Sequence, residues 1–71
     1  MTLADAQLGE EYTVTGFGTD DEELESFLFT LGCYVGEKIV VISMISGSYV
    51  VSIRDGRYNI DKELASAILV A

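Results

Sequence analysis

The apolar residues of this chain change their spacing several times, and each change predicts a new element. Residues 11–17, 37–45 and 49–54 are rich in β-branched and aromatic side chains, a composition typical of strands. Residues 19–31 instead predict a helix, because their apolar positions recur at helical spacing on one stripe: Leu24, Phe27, Leu28 and Leu31. The chain therefore begins as strand, helix, strand, strand.

The two ends of the predicted helix carry recognisable signals. Thr19 and Asp20 are both good N-cap residues, and glutamates follow at the spacing of a capping box. Gly32 predicts the left-handed residue that commonly ends a helix. Phe29 lies off the apolar stripe and is expected to be exposed.

The Asp55-Gly56 pair predicts a tight turn between two further strands. Such a pair favours a type I′ turn, which needs a positive φ at both central residues. That turn implies three cross-strand pairs: Ile53 with Tyr58, Val51 with Ile60, and Arg54 with Arg57. After it, Asp61 predicts a capped helical turn over residues 62–66, and apolar residues 67–71 predict a last strand against the first.

The strand over residues 37–45 is apolar on both faces, whereas a half-buried strand would alternate. Either it bends through a closed barrel, or a helix or a partner covers its outer face. Five short strands with tight turns and one inserted helix favour a mainly β fold. We expect a small, closed or nearly closed SH3-like β-barrel with a short C-terminal helical turn, and an open α+β sheet is the alternative.

Composition limits the chemistry that this chain can perform. Its 71 residues form one small domain, with 12 acidic against 4 basic residues and no His. Because Cys33 is the only cysteine, the chain cannot form an internal disulfide. Because it has no His, it cannot form a closed Cys/His zinc site or activate a Ser or Cys nucleophile with His. Its net charge of −8 disfavours nucleic acid as a partner. We therefore predict a binding protein rather than an enzyme.

The apolar runs are short, and the N-terminus lacks the basic region and long apolar core of a signal peptide. Direct membrane insertion is therefore not expected. A lone cysteine fits a reducing compartment. We expect a cytoplasmic protein.

Two groups of residues have a structural and a functional interpretation. Asp20, Asp21 and Glu25 could hold a divalent cation through oxygens, but capping of the helix explains them better. Cys33 follows the helix end, where the dipole raises rather than lowers a thiol pKa. It is expected to be an apolar packing residue, the alternative being a soft metal ligand shared between chains.

Several apolar side chains are candidates for an exposed patch: Val40, Ile42, Met44, Phe29 and Tyr34. Such a patch would mark a binding site, or these residues complete a second side of the core. Arg54 and Arg57 are the only basic pair, and they either clamp an anion or serve solubility. The predicted partner-binding residues are Val40, Met44, Phe29 and Arg54.

The order of these features resembles one known family. The residues that carry the resemblance are Leu3 to Gly9, Leu31-Gly32, Gly36, Ile39, Gly47, residues 50–60 and residues 65–70. This pattern is similar to that of the FeoA family. The same domain type forms the C-terminal SH3-like domain of DtxR-like metal-dependent repressors. The resemblance spans nearly the whole chain and implies one domain, residues 1–71.

The resemblance implies a small accessory or regulatory protein of bacterial ferrous iron uptake. Its expected partner is the cytoplasmic G-protein region of the FeoB transporter, which would bring it to the inner membrane. It implies no catalytic residue. We expect no cofactor, the alternative being a weakly bound divalent transition metal. Two alternatives remain, a stand-alone metal-responsive regulatory domain and a structural homo-oligomer that uses the two-sided apolar strand.

Overall fold

The computed structural model describes residues 1–71 and contains one antiparallel sheet with two helices. The helices and strands are β1 (Glu11–Phe17), α1 (Glu22–Thr30), β2 (Lys38–Ile45), β3 (Ser48–Ile53), β4 (Gly56–Asp61), α2 (Lys62–Ala67) and β5 (Ile68–Val70). A 3₁₀ turn over Leu3–Asp5 precedes them. Every predicted element is present with its ends moved by at most a few residues, and the mainly β, SH3-like fold is confirmed.

The sheet has the order β4-β3-β2-β1-β5, so the last strand pairs with the first, as predicted. Bulges interrupt β1 between Val14 and Gly16 and β2 between Val41 and Ser43. Bulges bend strands and increase their twist, which curves a five-stranded sheet around a core. The helix α2 links the two edge strands β4 and β5 across the gap that the sheet leaves.

The core lies inside this curved sheet and draws on most of the elements. Its members are Leu3, Val14, Leu28, Cys33, Ile39, Val41, Tyr49, Val51, Ile53, Ile60, Ala65, Ile68 and Val70. On β3 buried residues alternate with exposed or half-buried ones, and on β4 half-buried or buried residues alternate with exposed ones, as in a sheet with one wet face. Leu28 is the only residue of α1 that is fully buried, so it anchors the helix to the sheet.

The cap of α1 differs from the prediction. Asp21, rather than Thr19 or Asp20, is the N-cap, and its Oδ1 accepts the N–H groups of Glu23 at 3.0 Å and Leu24 at 3.3 Å. The Thr19 hydroxyl accepts the N–H of Asp21 at 3.1 Å, so residues 19–21 form a turn that delays the helix. At the other end Gly32 has a φ of 85°, which confirms its predicted left-handed conformation.

We expect Asp21→Ala to lower the free energy of unfolding by about 1 kcal/mol, the usual effect of losing an N-cap side chain. Asp20→Ala is the matched control, because it removes the same charge one residue earlier from an exposed side chain without a hydrogen bond. Its effect should stay within about 0.5 kcal/mol. Urea unfolding followed by circular dichroism measures both, and equal losses would contradict the assignment of the cap.

The helix α2 follows the prediction more closely. Asp61 caps it, its Oδ1 accepting the N–H of Leu64 at 2.8 Å, and the helix runs one residue beyond the predicted end, to Ala67. Neither helix of the structure has the length and apolar character needed to cross a bilayer.

The predicted register of the β3–β4 hairpin is wrong by two residues. The turn residues are Arg54 and Asp55, Ile53 pairs with Gly56, and Arg57 lies opposite a serine rather than Arg54. Gly56 is the first residue of β4, and the ring of Tyr58 occupies the space that a side chain at position 56 would need. The type I′ geometry lies instead at the β2–β3 turn, where Ser46 and Gly47 have φ values of 44° and 82°.

Candidate partner-binding surface

The two predicted contact residues of β2 lie on different faces of the sheet. Val40 pairs with Ser52 of β3, whereas Met44 pairs with Tyr49, whose side chain points into the core. Directly paired residues of antiparallel strands share a face. The bulge between Val41 and Ser43 therefore puts Val40 outside and turns Met44 to the inner face at the end of the strand. Met44 is still 52% exposed there, because the core does not reach that far.

The end of β2 carries the main exposed apolar surface of the sheet. Ile42, Met44 and Ile45, which we call the hairpin patch, are 37%, 52% and 72% exposed. Ile45 is absent from the sequence-based candidates, since a regular strand would place it on the same face as buried Ile39. The bulge changes that alternation, and nothing in the local sequence announces a bulge at this position.

Phe29 lies in an aromatic cluster rather than on an open surface. Its ring stacks on Tyr34 at 5.3 Å between centroids and meets the edge of Phe17 at 5.4 Å. Phe29 is half-buried, and Phe27, predicted to face the core, is exposed instead. Aromatic pairs in these two geometries are favourable beyond the area they bury. That packing explains why Phe29 lies against its neighbours while Phe27 lies in water.

A shallow pocket of about 280 Å³ lies beside this cluster, lined by Glu22, Glu25, Ser26 and Phe29. It combines carboxylates with one aromatic side chain. The pocket is acidic because Glu22 and Glu25 belong to the first turn of α1, where the helix dipole favours acidic residues.

Arg54 lies in the β3–β4 turn with a φ of 55°. Its Nη1 is 3.9 Å from Oε1 of Glu37, and both side chains keep contact with water, so this ion pair contributes little to stability. The turn forms one wall of a groove of about 520 Å³ whose other wall is the end of α1 at residues 30–32. Arg54 is thus free to contact a partner at this groove.

The structure places the four predicted contact residues in separate settings: Val40 on the outer face of β2, Met44 in the hairpin patch, Phe29 in the aromatic cluster and Arg54 at the groove. Val40 and Phe29 are half-buried, whereas Met44 and Arg54 are exposed. Their role in binding stays a prediction.

Cys33 is a packing residue of the core, as predicted. Burial, rather than the helix dipole, raises the pKa of its thiol to about 11, so the thiol keeps its proton at neutral pH. No three Cys, Asp or Glu side chains of the chain come together in the arrangement of a metal site.

The five-stranded sheet with its inserted helix places the chain in the class of small SH3-like β domains. The sequence model of the FeoA domain matches residues 1–71, so the chain belongs to the FeoA family, in agreement with the resemblance. No curated protein matches its sequence significantly.

Solved structures share the fold at low sequence identity. An iron uptake regulatory protein, FeoA, has a TM-score of 0.88 at 22% identity, with 100% of this chain and 93% of that chain covered. Stenotrophomonas maltophilia FeoA complexed with zinc has a TM-score of 0.88 at 18% identity, with coverages of 100% and 89%. A manganese-dependent transcriptional repressor in complex with manganese has a TM-score of 0.90 at 19% identity. The match covers 97% of this chain but only 35% of the repressor.

Proposed function

We propose that this protein is an accessory protein of ferrous iron uptake that binds the cytoplasmic G-protein region of a FeoB-type transporter. The observation that carries the proposal is the match of the FeoA domain to residues 1–71, the whole of the chain described by the structure. In this role it acts in the cytoplasm, next to the membrane that holds the transporter. It works through binding rather than catalysis and needs no resident cofactor.

The size of the domain sets how much of it a partner covers. A standard interface buries about 800 Å² on each side. The accessible surface of this domain is 4218 Å² and its longest extent is 27 Å, so such a footprint spans much of one side. A partner centred on the hairpin patch would therefore also reach neighbouring elements.

The hairpin patch is the favoured centre of this interface because it offers large apolar side chains to a partner. Burial of apolar surface supplies most of the free energy of association, and a few central side chains carry most of it. Met44 is unbranched and adapts its shape to a partner surface. Val40 is then proposed as a contact toward the rim. Arg54 lies at the opposite end of β3, near the end of α1, so Arg54 and Phe29 are proposed as contacts of a second region of the partner.

A titration of this protein against the cytosolic domain of a FeoB transporter from the same genome tests the proposal. We expect saturable binding, measured with and without a GTP analogue. Met44→Ser should weaken it by about tenfold or more, the effect of truncating a central contact. Val35→Ser is the matched control, because Val35 is equally apolar and 64% exposed but lies outside the hairpin patch.

Three results would contradict parts of this proposal. Absence of binding in every nucleotide state would reject the transporter as the partner. Binding that Val35→Ser weakens and Met44→Ser leaves unchanged would move the interface away from the hairpin patch. Unaltered ferrous iron uptake in cells lacking the protein would reject the accessory role.

A further inference from the structure

The strand β4 has one edge without a backbone partner. It pairs with β3 on one side and has no strand on the other. The opposite end of the sheet is protected, because the N-terminal segment covers β5 through a bridge between Thr2 and Leu69 and a bond from Val70 N–H to Met1 C=O of 2.9 Å. An exposed edge of this kind is a template for another strand.

The register of the hairpin shows which backbone groups face this open edge. Ile53 and Gly56 flank a two-residue turn, so they exchange the first pair of hydrogen bonds. Antiparallel pairing then alternates, so the backbone groups of Arg57, Asn59 and Asp61 point away from β3. No turn, loop or cap bond uses the backbone of Arg57 or Asn59, and the side chains of all three residues are exposed.

We propose that this edge pairs with the same edge of a second copy of the chain, antiparallel and about a two-fold axis at Asn59. The two Asn59 residues then exchange backbone hydrogen bonds across the axis. Arg57 of each copy lies opposite Asp61 of the other. The occupant of the edge is thus a second copy of this chain, and the product is a symmetric dimer with a ten-stranded sheet.

The charges of β4 select this register over its neighbours. In the proposed register each Arg57 faces Asp61 of the other copy. Opposite charges directly across antiparallel strands attract. A register shifted toward the turn would place Arg57 opposite Asn59 and Asp55 opposite Asp61, two carboxylates together. Parallel pairing would place equal charges side by side. Charged side chains ordinarily block an exposed edge, but the order of these residues is complementary to itself.

The side chains of the strand remain compatible with this arrangement. Asp61 uses Oδ1 to cap α2, which leaves Oδ2 for the guanidinium of Arg57. The Asn59 amides face each other across the axis, and each offers a donor and an acceptor to the other. The helix α2 begins at Lys62 and ends the usable edge. The interface is therefore short, and the dimer is expected to be weak and to depend on concentration.

Sedimentation equilibrium over a wide range of protein concentration tests the dimer. It is performed at about 0.15 M salt, where the net charge of each copy is screened beyond about 8 Å. Asn59→Pro removes the outward N–H without removing a bond to β3, and it should abolish dimerisation. Arg57→Asp turns both attractive pairs into repulsive ones and should weaken dimerisation about tenfold or more.

Arg54→Asp is the matched control for Arg57→Asp. It makes the same change of charge in the same hairpin, at an exposed turn position where aspartate tolerates a positive φ. It should leave the dimerisation constant within about twofold of the original, since it lies outside the edge. Circular dichroism shows which variants fold. If either Asn59→Pro or Arg57→Asp fails to fold, the other still tests the dimer.

Hydrogen exchange locates the interface in the unmodified protein. The amides of Arg57 and Asn59 should gain protection as the protein concentration rises. Those of Tyr58 and Ile60 should be protected throughout, because they bond to β3. A monomer at every concentration, a dimer that Asn59→Pro and Arg57→Asp leave intact, or exchange at Arg57 and Asn59 that ignores concentration would each overturn the proposal. None of these measurements involves the transporter, so they do not depend on the proposed function.

Discussion

Leu28→Ala is expected to leave much of the protein unfolded at physiological temperature, whereas Phe27→Ala beside it leaves the protein folded. Leu28 is fully buried, and Phe27 is 47% exposed. Truncation of a buried leucine costs about 2–5 kcal/mol, because a cavity is left behind. A domain of this size rarely has more than about 3–5 kcal/mol of net stability. The loss of one side chain therefore approaches the stability of the whole molecule.

Urea unfolding of both variants, followed by circular dichroism, measures this difference. Phe27→Ala removes a larger side chain from the same helix, so it controls for helix propensity and for loss of apolar surface as such. Its free energy of unfolding should change by less than about 1 kcal/mol. Equal losses in the two variants would show that α1 does not pack on the sheet through Leu28.

A rise in pH from about 9 to about 11 is expected to destabilise the protein through Cys33. In the folded protein burial raises the pKa of this thiol from 9.0 to about 11, because the thiolate would lose its hydration. Between these values the unfolded chain releases the proton and the folded chain keeps it. The stabilisation is thus complete below pH 9 and is lost as the pH rises through the folded pKa. The full loss is about 2–3 kcal/mol at 1.36 kcal/mol for each pKa unit.

Cys33→Ala removes this thiol and leaves every other ionisable group in place, so it isolates the contribution of the thiol. The free energy of unfolding is measured for both proteins at a series of pH values, and the slopes are compared rather than the absolute stabilities. The wild-type protein should lose stability more steeply between the two pKa values. Parallel curves would show that the thiol is not held in a buried, protonated form.

The sequence predicted most of the fold because its signals are local. The strand composition of residues 11–17, the glycine at position 32 and the cap at Asp61 each specify the backbone over a few neighbouring residues, and all three are observed. The register of the β3–β4 hairpin could not be predicted in the same way. Asp55-Gly56 is a strong turn signal by itself, but the register is set by the pairing of the whole of β3 with β4, which makes Arg54-Asp55 the turn and places Gly56 in the strand under the ring of Tyr58.

The candidate contact surface depended on longer-range features and was predicted less completely. The faces of Val40 and Met44 are decided by a bulge in β2, which forms through pairing with β3 and not through local sequence. Phe29 rather than Phe27 packs against the protein because its ring contacts Phe17, which comes from β1, and Tyr34, which follows the helix. The spacing of apolar residues identifies one face of a helix. It does not identify the tertiary contacts that decide which neighbouring residue is buried.

The pairing of β5 with β1 has a consequence for how the chain folds. Phe17 pairs with Ile68, and Thr2 pairs with Leu69, so one end of the sheet joins residues from opposite ends of the sequence. Closing such long loops costs entropy before any contact repays it, and folding rates fall as the separation of contacts grows. The β2–β3 and β3–β4 hairpins join residues that are close in sequence, so closing them costs little entropy. We therefore expect the pairing of β5 and the N-terminal segment with the rest of the sheet, rather than these hairpins, to limit the rate of folding.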